Sequence, residues 1–141
     1  NADKKIDYFI KEYSNSDYAI DLKFKKDLIQ NQLAAKELYV AKYYIKTQKW
    51  APAIKRLKII VDQYESTIFI EEALHRLVEI YYHIGLDDEA KNYAKLLGYN
   101  YNTSEWFEQS YKVLNKDYKI TKKSDLKKED NFFKKIINKI K

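Results

Sequence analysis

Two histidines stand eight residues apart in the stretch LHRLVEIYYHIGLDDEA, His75 and His83, with Asp87 and Asp88 just beyond them. Imidazole and carboxylate are the usual ligands of a transition metal, but a helical metal site wants an i, i+4 spacing or a third convergent ligand, and this spacing supplies neither. Glu71, Glu72, Glu79 and Glu89 are the neighbouring acids. They are scattered and do not form the pair that acid/base catalysis requires. The chain has no cysteine, which removes disulfides, thiolate metal sites and cysteine nucleophiles. Its only glycines are Gly85 and Gly98, too few for a phosphate-cradling loop, and both read as chain reversals at helix ends. No catalytic residue, metal or cofactor is therefore expected, and the residues point to an architecture that binds rather than reacts.

That architecture is written as a repeat. The hexapeptides YSNSDY (13–18), YESTIF (64–69) and YNTSEW (101–106) share a Tyr, a Ser or Thr three residues on, and an aromatic two after that. Before each stands the same series: Ala2, Ile6, Phe9 before Tyr13; Ala53, Leu57, Ile60 before Tyr64; Ala90, Ala94, Leu97 before Tyr101. Steps of four, three and four align side chains on one stripe of an α-helix, so each hexapeptide marks a helix end and the turn into the next helix. Ser16, Thr67 and Ser104 are then expected to cap the following helices through their hydroxyls, with Asp17, Glu71 or Glu105 in the first turn.

One helix earlier, Val40, Ala41 and Tyr44 relate to Ala53 as Leu77, Val78 and Tyr81 relate to Ala90. This resembles the tetratricopeptide repeat, in which small residues let two antiparallel helices cross closely. Val78 in place of a small residue, and Ser14, Glu65 and Asn102 in place of the closing proline, depart from that pattern. Successive tyrosines lie 51 and 37 residues apart, against roughly 34 in the standard repeat. The excess of 14 is close to four helical turns, which keeps the apolar face in phase. It predicts one long helix from Asp17 to about Gln48, about 48 Å in length, with the polar run at 29–32 as the place for a bend.

The expected fold is all-α: a tetratricopeptide-like helical-hairpin solenoid over 1–118, followed by a basic tail over 119–141. Within it, 1–15 is the second helix of a truncated repeat, 16–65 a long-helix pair, 66–102 a second pair and 103–118 a capping helix that turns Trp106, Phe107 and Tyr111 inward. An unpartnered stripe on the first helix predicts further repeats before Asn1.

Charge divides the chain in the same way. Residues 115–141 hold ten lysines and four acids, so the whole net charge of +6 lies there and the remainder is balanced. A body without a basic stripe is a poor nucleic-acid surface, and no nucleic-acid partner is expected from it. The 14 tyrosines at helical spacing read as core rather than as stacking platforms for bases. In the tail, Phe132, Phe133, Ile136, Ile137 and Ile140 fall on one helical face with lysines elsewhere. Such a segment can lie on an anionic membrane, enter a partner's groove or fold back on the protein. No run approaches the length of a membrane-spanning helix.

The run VAKYYIKTQKWAPAIKRLKIIVDQY, the connector ESTIFIEEALHRLVEIYYHIGLDDEAKNYAKLL and then YNTSEW, preceded by a turn that opens a long helix, together resemble the C-terminal half of the BamD (ComL/YfiO) family of outer-membrane β-barrel assembly lipoproteins. The resemblance covers roughly residues 1–114. It implies a non-enzymatic scaffold at the periplasmic face of the outer membrane, held by a lipidated N-terminal cysteine that this sequence does not contain. The implied partners are a POTRA module of the barrel-forming subunit BamA and other lipoproteins of the assembly machinery. Arg56 matches the family arginine near the POTRA contact, where a guanidinium can grip a carboxylate bidentately. Tyr44, Lys46, Lys49 and Trp50 surround the same inter-helix corner. The residues by themselves leave two other readings open: a different tetratricopeptide adaptor, of the cell envelope or the cytoplasm, and a nucleic-acid binder acting through the tail.

Overall fold

The structure, a computed structural model, describes residues 2–13 and 16–115. Six α-helices follow one another: α1 (Ala2–Glu12), α2 (Asp17–Lys46), α3 (Trp50–Gln63), α4 (Ile70–His83), α5 (Asp87–Asn100) and α6 (Glu105–Leu114). No strand occurs among the described residues, and the chain is all-α, built from the helical hairpins of a tetratricopeptide-like solenoid. It divides into two compact units, residues 1–70 and 71–141.

The recurring hexapeptide is a hydrogen-bonded turn. Each Tyr N–H closes the preceding helix, with Tyr13 donating to Phe9 O at 2.9 Å, Tyr64 to Ile60 O at 2.9 Å and Tyr101 to Leu97 O at 2.8 Å. Each Tyr carbonyl then accepts from the N–H three residues on, at 3.0 Å from Ser16, 3.1 Å from Thr67 and 3.0 Å from Ser104. Ser16 caps α2 by accepting from Ala19 N–H at 3.1 Å, and Ser104 caps α6 by accepting from Trp106 N–H at 3.1 Å. Thr67 does not act as a side-chain cap. Its buried hydroxyl donates to the Tyr64 carbonyl at 2.7 Å, and α4 starts only at Ile70, after two more turn residues.

In the first unit, α2 and α3 form an antiparallel hairpin. Ala34, Leu38 and Ala41 of α2 and Ala53, Leu57 and Ile60 of α3 are buried, and the two small residues Ala41 and Ala53 are fully so. The long helix is present: 30 residues, or about 45 Å at 1.5 Å per residue. It runs as continuous helix through 29–32. α1 touches α2 through Phe9 against Tyr18, ring centroids 5.5 Å apart, and through an Asp7–Lys26 ion pair.

The long helix stops because the chain turns left-handed at Gln48 (φ 57°), and α4 stops the same way at Gly85 (φ 85°). Both ends are Schellman motifs. Lys49 N–H donates to Tyr44 O at 2.8 Å and Gln48 N–H to Ile45 O at 3.0 Å; Leu86 N–H donates to Tyr81 O at 2.8 Å and Gly85 N–H to Tyr82 O at 3.2 Å. Gly85 is thus the expected chain reversal. Gly98 is not: it lies inside α5, and a Cβ there would meet Phe107 Cε2 at 2.6 Å, so its role is to let the α6 ring approach the α5 backbone.

In the second unit α6 is fastened to α4 by polar contacts. His75 is buried, with Nδ1 2.7 Å from Ser110 Oγ and Nε2 in contact with the Glu79 carboxylate. Its ring lies 5.3 Å from that of Trp106, over which the Arg76 guanidinium also sits, 5.7 Å from the ring centroid. Arg76 in turn bonds Glu72 and Glu79, each at 3.3 Å, and Ser104 Oγ donates to Glu71 Oε2 at 2.7 Å. Burial pushes the Glu79 carboxyl up, but the hydrogen bond and charge of His75 and the Arg76 guanidinium outweigh it and hold the group below its ordinary 4.5. Trp106, Phe107 and Tyr111 are half-buried, as expected of a capping helix, and α6 ends at Leu114.

Four substitutions test these contacts. In thermal unfolding, Gly85→Ala lowers stability by about 1–2 kcal/mol, the cost of a Cβ in the left-handed region, since no atom lies near enough to clash. Gln48→Gly acts in the opposite direction: it relieves that strain but adds about 0.5–1 kcal/mol of unfolded-chain entropy, so the gain is at most about 1.5 kcal/mol. Because the folded Glu79 group is depressed, its contribution is present above the unfolded value of 4.5 and is lost as pH falls through the folded one. Glu79→Gln therefore destabilises the protein at pH 7, and the deficit shrinks as pH falls below 4.5 and through the depressed folded value, as read from denaturant unfolding across pH. Ser110→Ala, which leaves His75 Nδ1 unpaired, costs about 1–3 kcal/mol.

Candidate functional site

The candidate site is the outer edge of the α2–α3 hairpin. Arg56 sits on α3 between positions that point into the core, Ala53 and Leu57, and so emerges at the margin of the helix contact. Glu37 occupies the matching margin of α2, one residue before the buried Leu38. Arg56 Nη1 donates to Glu37 Oε2 at 3.0 Å, with the Arg side chain 40% exposed and the Glu side chain 19% exposed. This pair crosses the hairpin and holds the guanidinium in a fixed direction. One donor of a five-donor fork makes the bond, so the planar group can also accept a second carboxylate from outside.

The remaining candidates gather at the turn. Lys46 is the last residue of α2, Lys49 the cap residue of α3 and Trp50 its first. Both lysines are exposed and Trp50 is half-buried. Tyr44 is half-buried too, edge-on to Tyr43 with centroids 5.9 Å apart, and its carbonyl anchors the turn by accepting from Lys49 N–H. Arg56 does not stand in this corner. It lies six residues along α3 from Trp50, a rise of about 9 Å. The hairpin thus presents a basic turn and, further along one helix, a directed guanidinium.

Glu37 was not among the expected site residues. The signal for it lies in the antiparallel pairing itself: counting outward four residues from each of Ala41 and Ala53 sets position 37 against 57, within one residue of Arg56.

Elsewhere, His75 joins a hydroxyl and a carboxylate in the order Ser110, His75, Glu79, the row of groups that activates a serine nucleophile. Ser110 has no exposed surface, so no substrate carbonyl reaches its oxygen in this arrangement, and the row is a fastening between helices. The same contacts occupy both ring nitrogens of His75, while His83, two turns away, is exposed. Among the described residues no three His, Cys, Asp or Glu side chains gather as a metal site requires, and no helix is long and apolar enough to cross a membrane. Phe132, Phe133, Ile136, Ile137 and Ile140 lie outside the described residues.

Comparison with known proteins gives these helices a family. The family model YfiO, described as "Outer membrane lipoprotein", matches residues 1–96. Similar relatives carry the name outer membrane protein assembly factor BamD. That of Rickettsia prowazekii (strain Madrid E) is 42% identical over 105 residues, 74% of this chain and 42% of the relative. That of Caulobacter vibrioides is 39% identical over 106 residues, 75% of this chain and 35% of the relative. That of Xylella fastidiosa (strain 9a5c) is 31% identical over 94 residues, 67% of this chain and 32% of the relative. The chain spans about two fifths of the length of the first of these relatives and about a third of the other two. The family match contains the whole α2–α3 hairpin, Arg56 and Glu37 included. With the repeat, the long helix and the family match in agreement, the chain belongs to the YfiO family of outer membrane lipoproteins.

Proposed function

We propose that this chain is a non-enzymatic docking scaffold in outer-membrane β-barrel protein assembly, and that the edge of its α2–α3 hairpin grips the periplasmic POTRA region of the barrel-forming subunit BamA. Its place of work is the periplasmic face of the outer membrane, as part of a lipid-anchored protein, beside the other lipoproteins of the same machinery. The reading is supported by the assembly-factor names of the relatives and above all by one observation, the Arg56 guanidinium bonded to Glu37 at the end of a side chain that is 40% exposed.

The mechanism is positional. Packing of α2 on α3 fixes the backbone, Glu37 fixes the guanidinium, and a carboxylate on the partner completes a bidentate pair with little side-chain entropy left to lose. Lys46 and Lys49 add a basic field at the turn that speeds encounter with an acidic surface and weakens with salt. No bond is made or broken.

The test is a pull-down of the native chain with the POTRA region of the same organism's BamA, repeated with Arg56→Ala, Arg56→Glu and Glu37→Gln. A charge-assisted pair is worth about 1.5–3 kcal/mol, so Arg56→Ala weakens binding about 10- to 100-fold and Arg56→Glu abolishes it. Glu37→Gln, whose amide oxygen still accepts from Arg56 and keeps the guanidinium aimed, retains binding. Equal binding by the native chain and Arg56→Glu refutes the site. Failure of the native chain itself to bind refutes the docking role of this region of the protein.

A further inference from the structure

The N-terminal half of α2 carries a second surface of opposite character. Ile20, Phe24 and Leu28 follow one another at intervals of four, and are 61%, 62% and 48% exposed. Asn31, one turn on from Leu28, accepts a hydrogen bond from Ile68 N–H at 3.1 Å, which brings the 79% exposed Ile68 to the end of the same row. Scattered apolar residues on a surface need no explanation, but four in a row along one face do. Neither neighbouring helix covers this stretch of α2. α1 reaches α2 through Tyr18 and Lys26, which lie about 120° or more around the helix from Phe24. The α3 pairing uses Ala34, Leu38 and Ala41, further along.

The row also has a charged border of one sign. At 100° per residue, Asp17, Asp21 and Asp27 all fall within about 60° of Phe24, while Lys23, Lys25 and Lys26 lie about 100° or more away. All three aspartates are exposed. Asp21 pairs with Lys25 at 2.9 Å, but both side chains are more than half exposed, and such a surface pair exchanges partners at little cost. The basic turn at Lys46 lies 22 residues away along the same helix, a rise of about 33 Å. Residues 17–28 hold three aspartates and three lysines, so this end of α2 is neutral as a whole, and it is the Phe24 face alone that is bordered by acids.

We propose that the Ile20–Phe24–Leu28–Ile68 ridge is a docking site for an amphipathic helix of another protein, with an apolar seam of about three turns bordered by lysine or arginine. The apolar seam fills the ridge and the basic edges meet Asp17, Asp21 and Asp27. Specificity comes from the carboxylate border, which repels an acidic helix of equal hydrophobicity.

The probe is a synthetic 14-residue helical peptide with leucine on one face and lysine on both edges, compared with the same peptide carrying glutamate at the edges. Each is titrated against the chain by fluorescence anisotropy. The lysine peptide binds at least tenfold tighter than the glutamate peptide. Phe24→Ser weakens it at least tenfold, and Asp21→Lys with Asp27→Lys reverses the preference. These residues are exposed, so helical circular dichroism stays at the native level in each variant. Equal affinity for the two peptides, or unchanged affinity in Phe24→Ser, overturns the proposal. Concentration-dependent dimerisation that Phe24→Ser abolishes overturns it in favour of a second copy. Peptide binding that appears only after truncation at Asn131 overturns it in favour of the chain's own C-terminal segment.

Discussion

Every feature of the α2–α3 hairpin depends on the close approach of two helices at Ala41 and Ala53. Neither residue keeps any exposed surface, and with a methyl group on each side the backbones come near enough for Leu38, Leu57 and Ile60 to be buried in the same contact. A 14-residue helix such as α3 is marginal in water by itself. It becomes stable by covering its apolar stripe, and the apolar positions at steps of four and three are the imprint of that requirement. Replacing either alanine by a larger side chain would separate the helices along their whole contact and so displace Arg56 from Glu37, which face each other only because the backbones do.

The margins of that contact are where binding chemistry becomes available. Residues one position from the core are half out of water, so a charge there is shielded enough to be directed and exposed enough to be reached. Arg56 and Glu37 occupy this zone on opposite helices. The pair adds little to stability, since exposed ion pairs rarely contribute more than about 1 kcal/mol. Its consequence is orientation. The 30-residue α2 then separates this edge from the acid-bordered ridge near its start, so that one helix carries both surfaces.

Most of the fold could be read from residue spacing because burial is periodic. The Tyr-x-x-Ser/Thr turns, the 14-residue lengthening of α2 and the Ala pairing all leave traces in types and intervals, and α2 ends within two residues of the expected position. What did not show was set by particular local choices. Thr67 reads like Ser16 and Ser104, yet two further turn residues move its hydroxyl out of reach of α4, and it bonds Tyr64 instead. Gly98 reads as a turn, but the Phe107 ring requires it inside a helix. The His75–Ser110 contact joins residues 35 apart, for which periodicity offers no marker. Arg56 was singled out only through the family resemblance, and its ion-pair partner Glu37 needed the hairpin register.

The central claim is that the α2–α3 edge, and no reaction centre, is what this chain offers to its partner. The most direct measurement is a two-dimensional amide NMR titration of the chain with the POTRA region of BamA. Shifts concentrated on α3 around Arg56, on α2 around Glu37 and at the turn through Lys46 and Lys49 are the predicted result. Saturable binding that leaves those amides unmoved would contradict it.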